Sequence, residues 1–128
     1  MWSWVNGVVS PVDEAVVQVV DHGFTVGDGV FETLKIEQGV PYALTRHLRR
    51  LRRSAMGLAL PPPDESLVRQ AVREVCQRHP YDLGVLRITY TSGPGPLGSV
   101  RGDQGCTLTV VSMPGRPWPA STRTHVSR

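Results

Sequence analysis

The run Pro61-Pro62-Pro63 constrains the fold of this chain more than any other feature. No helix passes through three prolines, because each lacks a backbone N–H and its ring clashes with the preceding turn. The run separates two stretches with helical periodicity, which are therefore two helices and not one. Before it, Leu44, Leu48, Leu51, Ala55 and Leu58 recur at steps of three and four, giving one apolar stripe to bury. Thr45 is placed to cap that helix, which runs to about Leu58. After the prolines, Asp64 or Ser66 opens a second helix to about Arg78. Leu67, Ala71, Val72 and Val75 face inward from it, and His79-Pro80 ends it.

Strand signals lie on both sides of this helical pair. Trp2 to Val5, the turn Asn6-Gly7 and then Val8-Val9 read as a short hairpin, since Asn-Gly accepts the positive φ angles of a tight turn. Residues 11 to 29 are punctuated by Asp21-His22-Gly23 and Gly27-Asp28-Gly29 and read as a loop folded close to another part of the chain. Val30 to Ile36 is a strand, Glu37-Gln38-Gly39 a turn, and Val40 to Leu44 the return. Leu83 to Thr91 alternates, with Leu86, Ile88 and Tyr90 on one face and Val85, Arg87 and Thr89 on the other. A loop rich in glycine and proline, Ser92 to Gly105, leads to a strand at Cys106 to Met113. Gly115 to Pro119 is a breaker-rich turn, and Ser121 to Arg128 begins a further strand. Strands and helices segregate along the chain, which predicts an α+β domain with a mostly antiparallel sheet and two helices.

Composition excludes several classes. With 128 residues, 40% apolar and 20% charged, the chain has the make-up of one globular domain and not of a disordered polyelectrolyte. The longest apolar run, Ala15 to Val20, is short and contains Gln18, so no membrane span is expected. Met1-Trp2-Ser3-Trp4 has neither the basic start nor the apolar centre of a signal peptide. Cys76 and Cys106 form no CxxC pair and no metal-ligand pattern, and read as idle thiols of a reducing cytoplasm. A cytoplasmic protein without a metal site is the expectation.

Two segments carry candidate chemistry. Arg46-His47-Leu48-Arg49-Arg50-Leu51-Arg52-Arg53 is the most charged stretch of a chain whose net charge is only +3. It fits a solvated helix face, a nucleic-acid patch, or one anion-binding arginine among solvated neighbours. Aromatic residues are not interleaved with the arginines, which disfavours nucleic acid. Asp21 to Thr33 places three glycines ahead of a strand. A glycine-rich turn can approach a phosphate closely, yet the spacing matches neither a P-loop nor a dinucleotide fingerprint, and a tight structural turn explains it equally. Lysine chemistry has one candidate, Lys35.

Taken together, "DHGFTVGDGVFET", a G-x-P before a strand, and "RHLRRLRRSAMGL" some twenty residues later resemble the N-terminal small domain of the class IV aminotransferases, the pyridoxal-phosphate enzymes of the D-amino-acid and branched-chain aminotransferase fold. Within that group the chain is most similar to the 4-amino-4-deoxychorismate lyases, a likeness strengthened by "LRITYTSGPGPLGSVRGD". The resemblance covers residues 2 to 128.

The resemblance implies the following roles. The family's phosphate-binding arginine belongs to a His-x-x-Arg-Leu motif, here ending at Arg50 and Leu51. A guanidinium fork suits phosphate oxygens. Phe31 takes the place of an aromatic that lines the substrate pocket, with Thr33 and Lys35 along the same strand face. Arg87 matches a basic position on the side of the substrate carboxylate, and Arg101 lies in a loop that closes over substrate in relatives. The family's Schiff-base lysine belongs to a second domain, in a segment with no counterpart among these residues. Residues 1–120 are therefore expected to be the small domain and 121–128 the start of an interdomain segment, with no catalytic residue in the chain. The implied parent is a homodimer acting on a small molecule, without nucleic-acid or membrane partners. It is a lyase releasing pyruvate and 4-aminobenzoate, a branched-chain or D-amino-acid aminotransferase, or, outside the enzymes, a non-catalytic binding domain.

Overall fold

The structure, a computed structural model, describes residues 1–115. The strand expected at Ser121 to Arg128, most of the Gly115–Pro119 turn and the boundary at residue 120 lie outside the described residues. The strands are β1 (Trp2–Val5), β2 (Val8–Pro11), β3 (Gly29–Glu37), β4 (Val40–Pro41), β5 (Leu83–Thr91) and β6 (Thr107–Pro114). The helices are α1 (His22–Thr25), α2 (Leu44–Gly57) and α3 (Glu65–Arg78), and a 3-10 turn spans Val12–Glu14. The strands form one six-stranded sheet in the order β2-β1-β6-β5-β3-β4, and every pairing is antiparallel. The α+β antiparallel expectation holds.

Both tight hairpins follow from local chemistry. Asn6 and Gly7 have φ of 46° and 98°, and Gln38 and Gly39 have φ of 52° and 77°. Two positive-φ residues in sequence make the turn whose twist matches the flanking strands. The return strand after Gly39 is shorter than expected: β4 is Val40–Pro41, not Val40 to Leu44. Pro41 has no N–H to continue a ladder, and Ala43 turns into the left-handed region at φ 55° to enter α2.

One face of the sheet carries the core. Trp4, Leu34, Ile36, Leu86, Ile88, Tyr90, Leu108 and Val110 meet Leu48, Leu51 and Ala55 of α2 and Val68, Ala71, Val72 and Val75 of α3. The buried Tyr90 hydroxyl donates to Pro61 O at 2.9 Å, which fastens the proline run to the sheet. Three expectations are corrected here. Leu58 is 40% exposed, because α2 ends at Gly57 and Ala59 reverses the chain at φ 56°. Ala59 N then donates to Met56 O and Leu60 N to Ala55 O, so Leu60 folds back and takes the core position. Leu67 is 39% exposed, and Val68 holds the stripe with Ala71, Val72, Val75 and Cys76, a continuous three-and-four series. Thr45 does not cap α2, whose N-cap is Ala43; its hydroxyl accepts from Arg69 Nη2 at 3.0 Å and ties α2 to α3. Asp64 does cap α3, accepting from Leu67 N at 3.2 Å. Among the described residues no helix is long and apolar enough to cross a membrane.

Candidate functional site

The segment read as a loop between residues 11 and 29 is fixed by a buried carboxylate. Asp21, 1% exposed, accepts from Gly23 N at 2.9 Å and Thr91 Oγ1 at 2.7 Å through one oxygen, and from Thr107 Oγ1 through the other. It thereby caps the single turn α1 and joins it to the end of β5 and the start of β6. The glycines serve this approach: a Cβ on Gly23 would lie 2.3 Å from Thr91 Cγ2, and one on Gly29 3.0 Å. The turn is thus built for packing on β5. His22, fully buried, reaches across to Pro96 O at 2.7 Å and anchors the loop that follows β5.

The turn delivers β3 with alternating faces. Glu32, Leu34 and Ile36 point to the helices, while Phe31, Thr33 and Lys35 lie on the open face. Thr33 sits directly opposite Arg87 of β5. Arg87 Nε donates to Thr33 Oγ1 at 3.4 Å, and its guanidinium carbon lies 4.2 Å from the centre of the Phe31 ring. Phe31, Thr33 and Arg87 therefore form one cluster, held by a cation–π contact. Lys35 lies further along the same face, opposite Val85. A cavity of about 380 Å³ adjoins the cluster, lined by Phe24, Val30, Phe31, Thr89 and Thr109 among others. A wider groove of about 900 Å³, bordered by Gln38, Arg69, Arg73 and His79, includes none of Phe31, Thr33, Lys35, Arg50, Arg87 and Arg101.

Arg50 is on the other side of β3. It projects from α2 with 55% of its side chain exposed, and its Nε lies 3.7 Å from Oε2 of Glu32. Glu32 is 6% exposed and its Oε1 takes a hydrogen bond from His47 Nδ1 at 2.7 Å. Among the described residues, positions 29 to 34 of β3 pair along one edge only, with β5, since β4 meets β3 at Ile36 and Glu37. The free edge of β3 is thus flanked by Arg50 on one face and by Phe31 and Thr33 on the other.

Arg101 stands apart from both groups. Its Nε and Nη2 grip the Asp28 carboxylate at 2.8 and 3.0 Å, and Nη1 and Nη2 reach Ala59 O and Leu58 O at 2.9 and 2.6 Å. The guanidinium straps the Ser92–Gly105 loop to the turn before β3 and satisfies carbonyls at the C-terminal end of α2, where a cation is favoured. Hydrogen bonding from Arg101 holds the Asp28 carboxyl below the ordinary carboxylate range. Arg101 is committed within the domain, in contrast to the half-exposed Arg50. Burial pushes the Cys76 thiol up to about 11, which keeps it protonated and unreactive near neutrality.

Sequence reasoning missed Glu32 and His47. The signal was present: Glu32 shares a face with Leu34 and Ile36, and His47 precedes Arg50 by three residues, one helical turn.

The model of the amino-transferase class IV family matches residues 29–128. The chain is 43% identical over 70 residues to the bifunctional aminodeoxychorismate lyase / D-amino acid transaminase of Mycobacterium tuberculosis, which covers 52% of this chain and 24% of that one. It superposes on the PLP-bound form of a hypothetical aminotransferase of Mycobacterium tuberculosis with a TM-score of 0.81 at 30% identity, over 97% of this chain and 42% of that one. The 4-amino-4-deoxychorismate lyase of Pseudomonas aeruginosa gives a TM-score of 0.78 at 31% identity, over 96% and 43%. The fold and the family match agree, and this chain belongs to the class IV aminotransferases. It spans about two fifths of those two solved chains.

Proposed function

We propose that the chain is the small domain of a pyridoxal-phosphate-dependent 4-amino-4-deoxychorismate lyase. The observation that carries this reading is the edge of β3 left open among the described residues, flanked by the half-exposed Arg50 on one face and by Phe31 and Thr33 on the other, with Arg87 reaching from β5 over the Phe31 ring. That set suits a flat, phosphorylated group. Arg50 offers a guanidinium to the phosphate, Phe31 supplies an apolar wall, and Arg87 and Thr33 supply a cationic and a hydroxyl contact for the acidic substrate. Lys35 continues the same face further along β3. Arg101 acts here by holding the Ser92–Gly105 loop in place. Pyridoxal phosphate, when bound, supplies the electron sink for breaking bonds at the amine-bearing carbon. The lyase assignment is supported by the 43% identity to a relative whose name carries lyase activity. The same name carries a transaminase, so amino transfer is the second reading.

The rest of the enzyme, with its Schiff-base lysine, would lie in a second domain. Phe24, Val16 and Val19 are exposed apolar side chains on the segment leading to β3, and contact with that domain or with a second subunit of a homodimer would cover them. The test is to assay the product of the whole gene for pyruvate release from 4-amino-4-deoxychorismate, and for amino transfer from D-alanine and from L-leucine to 2-oxoglutarate. Pyruvate with 4-aminobenzoate is expected. Amino transfer without pyruvate would replace the lyase by an aminotransferase, and no visible cofactor absorbance at all would remove both.

A further inference from the structure

Glu32 is a carboxylate placed where β3 should carry an apolar side chain. It lies between the partly buried Val30 and the core residue Leu34 and opposite Ile88, and is 6% exposed. Burying a charge there is costly unless it is paired and hydrogen-bonded. Its two oxygens have different partners. Oε1 is bound at 2.7 Å by His47 Nδ1, itself buried, and Oε2 faces Arg50 Nε at 3.7 Å. Since an ionised carboxylate only accepts, the His47 Nδ1–H is the donor. His47 and Arg50 are three residues apart on α2 and so share the face turned to β3. Among the described residues, no hydrogen bond engages either Nη of Arg50.

We propose that Glu32 and His47 are positioning residues: His47 fixes the Glu32 carboxylate, and Glu32 holds Arg50 by its Nε edge, leaving both Nη groups for a phosphate. The inference rests on the reading of Arg50 as the phosphate ligand. A solvent-exposed arginine side chain loses substantial rotamer freedom when it clamps an anion. An arginine already held at Nε has lost much of that freedom beforehand. Glu32 also repels an incoming phosphate, so its removal has two opposed effects on affinity. Removing His47 leaves that negative charge in place and releases only its orientation, which makes His47 the informative position.

The experiment uses the 128-residue chain labelled with nitrogen-15 and inorganic phosphate as probe. The Arg50 Nε–H resonance is expected to be ordered, and phosphate is expected to shift it. Glu32→Gln and His47→Ala should both mobilise that side chain, and His47→Ala should weaken phosphate binding about tenfold. His47→Asn places an amide N–H near the Nδ1 position and should stay within about twofold of the unsubstituted chain. The backbone spectrum of each variant reports whether it has folded, and His47→Asn keeps the comparison decisive if His47→Ala has not. Arg50 order and phosphate affinity unaltered in His47→Ala and Glu32→Gln, with binding lost in Arg50→Gln, would overturn the positioning role and leave Arg50 as the ligand. The role would also be overturned by a His47→Asn variant as impaired as His47→Ala. Phosphate that leaves Arg50 unshifted, or that binds Arg50→Gln equally well, would overturn the ligand reading and the positioning role with it.

Discussion

Replacing Asp21 by Ala tests whether the turn before β3 is held by a buried carboxylate or merely packs there. The substitution removes the acceptor for Gly23 N–H, Thr91 O–H and Thr107 O–H at a site 1% exposed to solvent. A hydrogen bond to a charged group is worth about 1.5–3 kcal/mol net. The three do not simply add, because the two threonine hydroxyls can rotate to other acceptors while the Gly23 N–H cannot. An expected loss of about 3–5 kcal/mol follows, comparable to removing one partner of a buried charged network. Asp21→Asn keeps an oxygen for Gly23 N–H and Thr91, and its amide can donate to the Thr107 hydroxyl. Its expected loss is smaller, about 1–2 kcal/mol. Equilibrium urea unfolding of the three proteins gives the comparison, provided the slopes stay equal. Asn and Ala variants of equal stability, or an Ala variant that loses less than about 1 kcal/mol, would refute the hydrogen-bond argument and leave glycine packing against Thr91 as what positions β3.

Two further outcomes are expected. Leu51→Ala, at a core position 1% exposed, should cost about 2–5 kcal/mol, whereas Leu58→Ala and Leu67→Ala should each cost under about 1 kcal/mol, as measured by urea unfolding. The Asp28 carboxyl has a folded-state pKa lowered chiefly by hydrogen bonding from Arg101, so its stabilisation is full above the unfolded value near 3.8 and is lost as pH falls through the folded value. Urea midpoints taken at successively lower pH below that value should therefore decline more steeply in the unsubstituted chain than in Arg101→Gln, and parallel declines would remove the strap from the acid response.

Where one residue type dictates one backbone outcome, the sequence was legible. The prolines split the helices, Asn6-Gly7 and Gln38-Gly39 turned the hairpins, and alternation in β5 assigned its faces correctly. The errors have a common cause. Leu58 and Leu67 fit the periodic stripe by side-chain type, and each is displaced from the core by a neighbour, Leu60 and Val68. In the first case the deciding event was a left-handed Ala59, a conformation that alanine does not advertise. Thr45 is a strong capping residue, yet the entry to α2 is set two residues earlier by Ala43 and by the loss of the ladder at Pro41. One-turn helix α1 was hidden because its cap, Asp21, draws most of its hydrogen bonds from residues far along the chain.

The candidate site was legible only where a motif named a residue, and a physical rule was available that would have gone further. Arg46, Arg49, Arg50, Arg52 and Arg53 look alike in composition, and spacing alone leaves several of them beside the apolar stripe. Their partners separate them. Alternation along β3 puts Glu32 with Leu34 and Ile36 on the face that α2 covers, so a carboxylate must be buried under that helix. A buried carboxylate requires a donor and a counter-charge. Only a helix position facing β3 can provide them, and His47 with Arg50, one turn apart, does so. The acid in the strand therefore picks out Arg50 among the arginines of the helix, and Arg50 lies beside a part of β3 whose outer edge no other strand covers among the described residues.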